Sequence, residues 1–397
     1  MSRILNDRLG ALRRVTSAAL LCGIAFSINL WFPISRSLPR APLLLALPQQ
    51  VVPAAEYLLS SLLSAAVVAL VFAKRPMKYL IVAIVALVVL CLLDQTRLQP
   101  WVYQYLAVFV VLALDHRQSR DERSAVLTLL QLIVASLYFW GGLQKLNYSF
   151  SHEVLSQLLT PILVLSPSQL SALGVGVATI EIFTGLGLLL KKTRKICIFL
   201  ALAMHGMILG LLIAQNQNNV VWAWNGALVL MVVVLFWRSD TSIGQVFSYW
   251  RAGNTAVRAS VIVAALYVVL PVLSFWGWWD LYLSGALYSG NTPVGVVRVA
   301  GSVYDRLAPI AKQQVFATSS GERMLPLHEW SMAELNVPPY PEFRVYRQLT
   351  REICRSVEDK THAELIVKTR PAIVDGSYKV VRMDCSTLTA SMEKKHL

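Results

Sequence analysis

The residues best suited to chemistry lie where a long apolar segment turns polar. Tyr138 to Phe150 reads YFWGGLQKLNYSF and follows the apolar run AVLTLLQLIVASL. Gly141 and Gly142 remove side chains where a neighbouring helix or a flat ligand must approach, and Lys145 falls one helical turn further on the same face. A poorly solvated lysine releases its proton more readily, so Lys145 is a candidate base. The same pattern also describes an ordinary helix end whose lysine reaches for the interface.

The elements that carry such residues are membrane-spanning helices. Hydrophobic residues make up 56% of the 397 positions and charged residues 15%, which is more apolar surface than a soluble domain can bury. Nine apolar runs approach the roughly 20 residues that cross a bilayer as a helix. They span residues 15–34, 52–73, 79–94, 100–114, 125–143, 171–190, 196–214, 219–237 and 257–279.

Basic residues indicate which side of the membrane each segment faces, since Lys and Arg near helix ends resist translocation. With the N-terminus in the cytoplasm, the cytoplasmic segments hold seventeen Lys and Arg, Arg117 among them, and the opposite side holds four. This predicts a multi-pass protein of the plasma or inner membrane with residues 283–397 outside the cytoplasm. Those residues carry 15 basic and 12 acidic side chains of a chain with net charge +14. The basic balance is therefore mostly a topology signal, and no nucleic acid partner is predicted.

Polar side chains within or beside the apolar runs are costly in lipid and often functional. On the predicted topology most of them lie toward the outer side: Glu56, Asp94, Arg97, Gln99, Gln144, Lys145 and Asn225. Glu181 and His205 fall near mid-membrane, and we expect them to face each other across two helices. The same residues also have purely structural interpretations. Asp94 and Arg97 would form an ion pair at a helix end, and Glu181 and His205 would tether two helices to each other. An interfacial aromatic belt is predicted for Trp101, Trp222 and Trp224.

Residues 283–397 read as a small α+β domain outside the membrane. A helix is predicted over 342–355, with Val345, Leu349 and Ile353 on one face, and AELIVKTRP with SYKVVRMDC flank an Asp-Gly turn as a hairpin. Cys354 and Cys385 either form a disulfide in an oxidising compartment or remain two unrelated thiols. The chain has no HExxH, no phosphate loop and no cysteine cluster, so no metal is predicted. The fold class is an all-α polytopic membrane bundle, residues 1–282, followed by this domain.

Three blocks in order resemble the membrane domain of the vitamin K-dependent gamma-carboxylases and the wider horizontally transferred transmembrane family. They are LLDQTRLQPWVYQY from Leu92, YFWGGLQKL from Tyr138, and EIFTGLGLLLKKTRKICIFLALAMHGM from Glu181. Together they cover about 120 residues, and the likeness extends loosely over residues 15–280. The resemblance implies a bundle that binds a quinone or hydroquinone on the extracytoplasmic side.

The resemblance also implies roles for particular residues. In the carboxylases, the lysine matching Lys145 deprotonates a reduced quinone, and the oxygenated product removes a proton from glutamate before carbon dioxide adds. Here Lys145 would be the base, with Glu181 and His205 orienting groups or relaying protons. The residues expected at the quinone pocket are Asp94, Arg97, Trp101, Gly141, Gly142 and Gln144.

Three departures separate this chain from the carboxylases. Gln144 replaces a second lysine, Trp101 stands where the carboxylases have a functional histidine, and Ile208 stands where they have an asparagine. The outer domain is also much shorter than the carboxylases' lumenal part. These departures favour a different quinone-linked reaction, a lyase or an oxidoreductase, over glutamate carboxylation.

Two other function classes stay open. In one, the protein is a non-catalytic membrane scaffold that displays its C-terminal domain to a protein or peptide partner. In the other, as in small DoxX-like proteins, quinone is coupled to thiol oxidation through Cys354 and Cys385. The chain has no CxxC motif, which weighs against the second of these.

Overall fold

The computed structural model describes residues 2–34, 36–43, 52–114, 120–160, 162–241, 244, 250–251, 255–355 and 360–390. Arg117, one of the basic residues used to predict the orientation, lies outside the described residues. So do the last seven residues of the predicted second domain.

Helices make up most of the chain as far as residue 276. In chain order they are α1 (Ser2–Phe26), α2 (Ile28–Trp31), α3 (Val52–Phe72), α4 (Met77–Leu93), α5 (Pro100–Leu114), α6 (Arg120–Lys145), α7 (Leu155–Leu159), α8 (Pro167–Leu189), α9 (Arg194–Ala214), α10 (Val220–Phe236) and α11 (Thr255–Val268). A 3₁₀ segment, Leu270–Trp276, follows α11.

Six stretches are long and apolar enough to cross a membrane: 7–26, 52–72, 123–145, 167–189, 194–214 and 258–276. The helices α4, α5 and α10 are apolar but shorter. The predicted helical architecture is therefore confirmed, and in the part of the chain that the structure describes six helices are long and apolar enough to cross a membrane, where the sequence predicted nine spans.

Glycines allow the closest helix contact in the bundle, between α6 and α8. A Cβ atom at Gly142 would lie 2.7 Å from the Ala178 carbonyl oxygen, and one at Gly185 would lie 2.7 Å from that of Ala135. Because both obstacles are backbone atoms, no side-chain movement can relieve them. The two helices thus approach through one glycine each, as small residues permit between membrane helices.

Hydrogen bonds between distant segments distinguish the two ends of the bundle. At one end, side chains of α1 and α9 reach the turns after α3 and α10: Arg13 binds the Ala73 carbonyl, and Arg194 binds the Ser239 carbonyl. At the other end, the segments 28–41, 94–99, 146–152 and 215–219 contact the C-terminal domain. We call these the basic end and the domain end.

The C-terminal domain is built on a five-stranded antiparallel sheet in the order β2-β3-β1-β4-β5. The strands are β1 (Val294–Val299), β2 (Phe316–Ala317), β3 (Arg323–Pro326), β4 (Ala363–Lys368) and β5 (Val380–Asp384). The helices are α12 (Gly301–Arg306), α13 (Pro309–Lys312), α14 (Leu327–Leu335), α15 (Phe343–Arg355) and α16 (Cys385–Ala390). The predicted α+β character, the helix α15 and the β4–β5 hairpin are confirmed.

One face of the sheet is covered by helices and the other is open. Val345, Leu349 and Ile353 are buried on α15, as the periodicity predicts, against Val297 and Leu365 of the central strands. On the open face, Val294 and Val380 stay exposed. Alternation along each strand produces this division, since successive side chains point to opposite faces.

A disulfide joins Cys354, late in α15, to Cys385, the first residue of α16. Of the two arrangements that the sequence left open, the structure has the bridge. Both cysteines are fully buried, so a thiolate cannot reach either sulfur without unfolding of the domain. This burial argues for a structural bridge and against thiol oxidation through this pair.

Candidate functional site

The last residue of α6 is paired with a carboxylate of α8. Lys145 Nζ lies 2.6 Å from Glu181 Oε2, and the side chains are 14% and 13% exposed. The helix α8 starts at a capping box in which Ser166 and Gln169 exchange hydrogen bonds, with Pro167 as its first residue. This fixed start places Glu181 about four turns along the helix, level with the end of α6.

The two glycines before Lys145 have different tasks. A Cβ atom at Gly141 would lie 2.8 Å from Glu181 Oε1 and 3.7 Å from Lys145 Nζ, so Gly141 makes room for the carboxylate. Gly142 instead makes room for the backbone of α8. The predicted close approach at these glycines is confirmed, and the neighbour is a helix.

The expected pairing of Glu181 with His205 is wrong, because His205 has other partners. Its Nε2 atom lies 2.6 Å from Tyr138 Oη and its Nδ1 atom 2.8 Å from Asn225 Oδ1. Asn225 donates its amide to the Val221 carbonyl, which leaves Oδ1 as an acceptor. A neutral His205 therefore carries its proton on Nδ1 and accepts the Tyr138 hydroxyl proton at Nε2.

This chain of three polar groups lies on the same helix as Lys145. Tyr138 precedes Lys145 by seven residues, so both fall on one face of α6 about 10 Å apart along its axis. The turn before α9 is fixed by Arg194, which donates to the Leu188 and Leu189 carbonyls, and this sets the position of His205. Tyr138 was not predicted as a site residue, although its spacing of seven residues from Lys145 is the pattern that indicates it.

Asp94 and Arg97 do not pair with each other as predicted. Asp94 Oδ2 lies 2.6 Å from Arg36, and Arg97 lies 2.9 Å from Glu56, which also binds Arg40 at 2.7 Å. The side chains of Asp94 and Arg97 point in different directions although the two residues are close in sequence, and each pairs with an opposite charge from a distant segment. The carboxylates and Arg97 are fully buried, so this network fastens the segment before α3 to the bundle.

The charge network is separate from the Lys145 pair. Within the described residues, no hydrogen bond or ion pair joins it to Lys145 or Glu181. The structure therefore gives Asp94 and Arg97 a part in holding the domain end together, where the resemblance implied a pocket mouth.

Gln144 and Trp101 are also buried in contacts of their own. Gln144 donates to Ser274 Oγ and accepts from Asn291 Nδ2, which links α6 to the C-terminal domain. Trp101 is 2% exposed and packs its ring near Trp31 and Tyr105, so its predicted place in an interfacial belt is wrong. Among the described residues, neither side chain is hydrogen-bonded to the Lys145 ammonium.

One cavity among the helices of this region is small. It holds about 20 Å³ between α5, α6, α11 and the segment 282–285, with Tyr103, Trp140, Tyr267 and Tyr282 in its walls. That is room for about one water molecule and not for a quinone ring. Lys145 is not among the residues that line it.

Fold and site together define a helical membrane protein with a disulfide-bonded α+β domain on one end and a lysine–glutamate pair near the junction. No family model, no curated protein and no solved structure matches this chain. The site's own geometry therefore carries the functional argument.

Proposed function

We propose that this protein is a membrane enzyme of quinone-linked chemistry, in which Lys145 takes a proton from the hydroxyl of a flat, apolar, ionisable ligand such as a hydroquinone. One observation carries the proposal: Lys145 and Glu181 form a close pair that is neither fully buried nor freely solvated. The resemblance to gamma-carboxylase membrane domains supports the choice of a quinone.

The pair can deliver a base without any external group. Transfer of one proton from the Lys145 ammonium to the Glu181 carboxylate gives a neutral amine beside a neutral acid. The amine then accepts the ligand's hydroxyl proton, and the ligand anion is left beside the new ammonium.

Tyr138 and His205 have a second role in the proposal. Their hydrogen bond lies about two turns deeper along α6 than Lys145, toward mid-membrane. A neutral histidine that donates through one nitrogen and accepts through the other can exchange a proton across its ring. His205 is thus a relay or an orienting group, and Asn225 fixes its tautomer.

The site is proposed to face the extracytoplasmic side, with the N-terminus in the cytoplasm. The excess of basic residues at the end of the bundle away from the C-terminal domain supports this orientation. The disulfide supports it as well, because such bridges persist in oxidising compartments. A multi-pass protein of the plasma or inner membrane has this arrangement.

The test is oxygen uptake driven by a reduced naphthoquinone, with the purified full chain in lipid nanodiscs. General-base catalysis contributes about 10²- to 10⁴-fold, so Lys145→Ala should lower the turnover by a factor in that range. Lys191→Ala, which removes an exposed lysine from the basic end, is the matched control and should leave turnover unchanged. Equal turnover in Lys145→Ala and wild-type protein would exclude the proposal.

The scaffold function is the second candidate, favoured by the open face of the sheet. Removing the whole domain is a poor test of it, since a Cβ atom at Gly285 would lie only 3.0 Å from the backbone of Gly141. Val380→Asp changes the open face alone. A scaffold would lose its cellular phenotype with Val380→Asp and keep it with Lys145→Ala, whereas the enzyme predicts the reverse.

A further inference from the structure

The junction between the bundle and the C-terminal domain contains a half-buried cation that has no counter-ion among the described residues. Arg370, just after β4, donates from Nε to Asn291 Oδ1 at 2.5 Å and from Nη1 to the Ser274 carbonyl at 2.9 Å. Its guanidinium lies 5.3 Å from the centre of the Phe275 ring. In the described part of the chain, no Asp or Glu forms an ion pair with it.

Other arginines near the domain end have carboxylate partners. Arg36 binds Asp94, Arg97 binds Glu56, and Arg344 binds Asp280. Burial without such a partner is unfavourable for a cation. Desolvation accordingly holds the pKa of Arg370 below its ordinary value. The energetic cost is explained if a ligand supplies the missing negative charge.

The position of Arg370 indicates where that ligand comes from. Its partner Ser274 lies in the last turn of the apolar stretch 258–276, so the guanidinium sits where a membrane span ends. Phosphate groups of phospholipids lie at that level, and tryptophans favour it too. Trp276 and Trp278 are exposed there.

The loop that carries Arg370 also presents exposed apolar side chains. Ile373 and Val374 are exposed, and the Ile373 carbonyl accepts a hydrogen bond from the Tyr148 amide, directly after α6. The loop therefore lies against the domain end of the bundle. Exposed aliphatic and aromatic groups around a cation suit an amphipathic ligand, since a free ion gains nothing from them.

We propose that Arg370 binds the phosphate of a phospholipid headgroup in the leaflet on the domain side. Its Nη2 atom, which makes no hydrogen bond within the described residues, and the second hydrogen of Nη1 are the donors for two phosphate oxygens. The fork of an arginine matches such a pair. The lipid's glycerol backbone and upper chains lie along Trp276, Trp278 and the 371–378 loop.

The measurement is native mass spectrometry of the full chain, released from detergent and titrated with short-chain phosphatidylglycerol. Charge-assisted hydrogen bonds are strong, so Arg370→Gln should weaken the first lipid bound about tenfold or more. Arg370→Lys, which keeps the charge and loses the fork, should fall between. Arg382→Gln, which removes an exposed arginine from β5 of the same domain, is the matched control and should bind as wild type does.

Two further arms separate the lipid from other sources of phosphate. Diacylglycerol with the same chains lacks the phosphate and should show no dependence on residue 370. Trp278→Ser should weaken phosphatidylglycerol but not glycerol phosphate. If Arg370→Gln and wild type bind phosphatidylglycerol equally, the proposal is wrong. If inorganic phosphate displaces the lipid at equal concentration, the ligand is a free anion and the lipid source is excluded.

Discussion

Single atoms decide which glycines of the bundle can change. A methyl group at Gly142 would collide with the backbone of α8, whereas one at Gly176 on the same α8 would meet nothing within 4 Å. We expect Gly142→Ala to destabilise the bundle by about 1–3 kcal/mol because the two helices must separate. Gly176→Ala should be neutral or stabilising by up to about 1 kcal/mol, since alanine is the better helix former. Thermal unfolding of both variants in one detergent measures the difference, and equal midpoints would contradict this account of α6 and α8.

Residue types were easier to predict from the sequence than residue partners. Lys145 and its glycines could be located because the break in an apolar run is a local pattern. The partner of Glu181 could not, since sequence gives the depth of a residue in its helix but not the direction in which that helix faces. Glu181 and His205 have similar depths, yet one meets α6 near its end and the other meets Tyr138 two turns earlier. The roles of Arg36 and Arg370 could not be predicted from the sequence, because the residues that they bind are distant in the chain.

At the scale of elements, the connection between bundle and domain contains a titrating carboxylate. Glu342 accepts a hydrogen bond from the Leu281 amide at 2.9 Å, and burial, with nearby Asp280, raises its pKa to about 7. The folded protein therefore holds this proton up to a higher pH than the unfolded chain does. Its contribution to stability is fully present below about pH 4.5 and is lost as the pH rises toward 7.

We expect the unfolding midpoint of the protein to fall between pH 5 and pH 8, and Glu342→Gln to remove most of that slope. The contribution is on the order of 2 kcal/mol after allowance for partial exposure. Glu352→Gln, which changes a partly exposed residue paired with Arg355 on α15, is the control and should keep the slope. Midpoints measured by thermal unfolding across this pH range test the expectation. A slope in Glu342→Gln as steep as in wild type would assign the effect to other groups.

The secondary structure was easier to predict from the sequence than the packing of the helices against one another. The periodicity of Val345, Leu349 and Ile353 fixed α15, and alternation with a turn signal fixed the β4–β5 hairpin, since both patterns act within a dozen residues. The three apolar helices below full spanning length were counted as spans because apolar character alone does not measure helix length. The burial of Trp101 was missed for a related reason: an apolar run does not reveal which of its aromatics face other helices.

At the scale of the whole molecule, the predicted orientation in the membrane depends on which end of the bundle holds the basic residues. Arg75 lies in the turn before α4, and Lys195 lies at the start of α9, so both residues are at the basic end. Reporter fusions after Arg75, Lys195 and Leu397 should report cytoplasm, cytoplasm and exterior, because basic residues resist translocation. Alkaline phosphatase, which is active only outside, and a fluorescent protein, which folds inside, provide opposite readings at each site. A cytoplasmic signal at Leu397 would move Lys145 to the other face of the membrane and remove the support for quinone access from outside.

The contacts of Glu334 have a bearing on how the chain is made. Its carboxylate accepts hydrogen bonds from the backbone amides of Ser37 and Leu38, and from Trp330 on its own helix. The segment before α3 is among the first to leave the ribosome, yet its anchor is synthesised almost 300 residues later. The segment before α3 is therefore held only by its contacts within the bundle, such as the ion pairs with Asp94 and Glu56, until the last domain has folded. A ribosome that stalls before residue 334 leaves a chain whose first connecting segment lacks one of its two sets of contacts, which is the kind of incompletely folded intermediate that membrane quality-control proteases degrade.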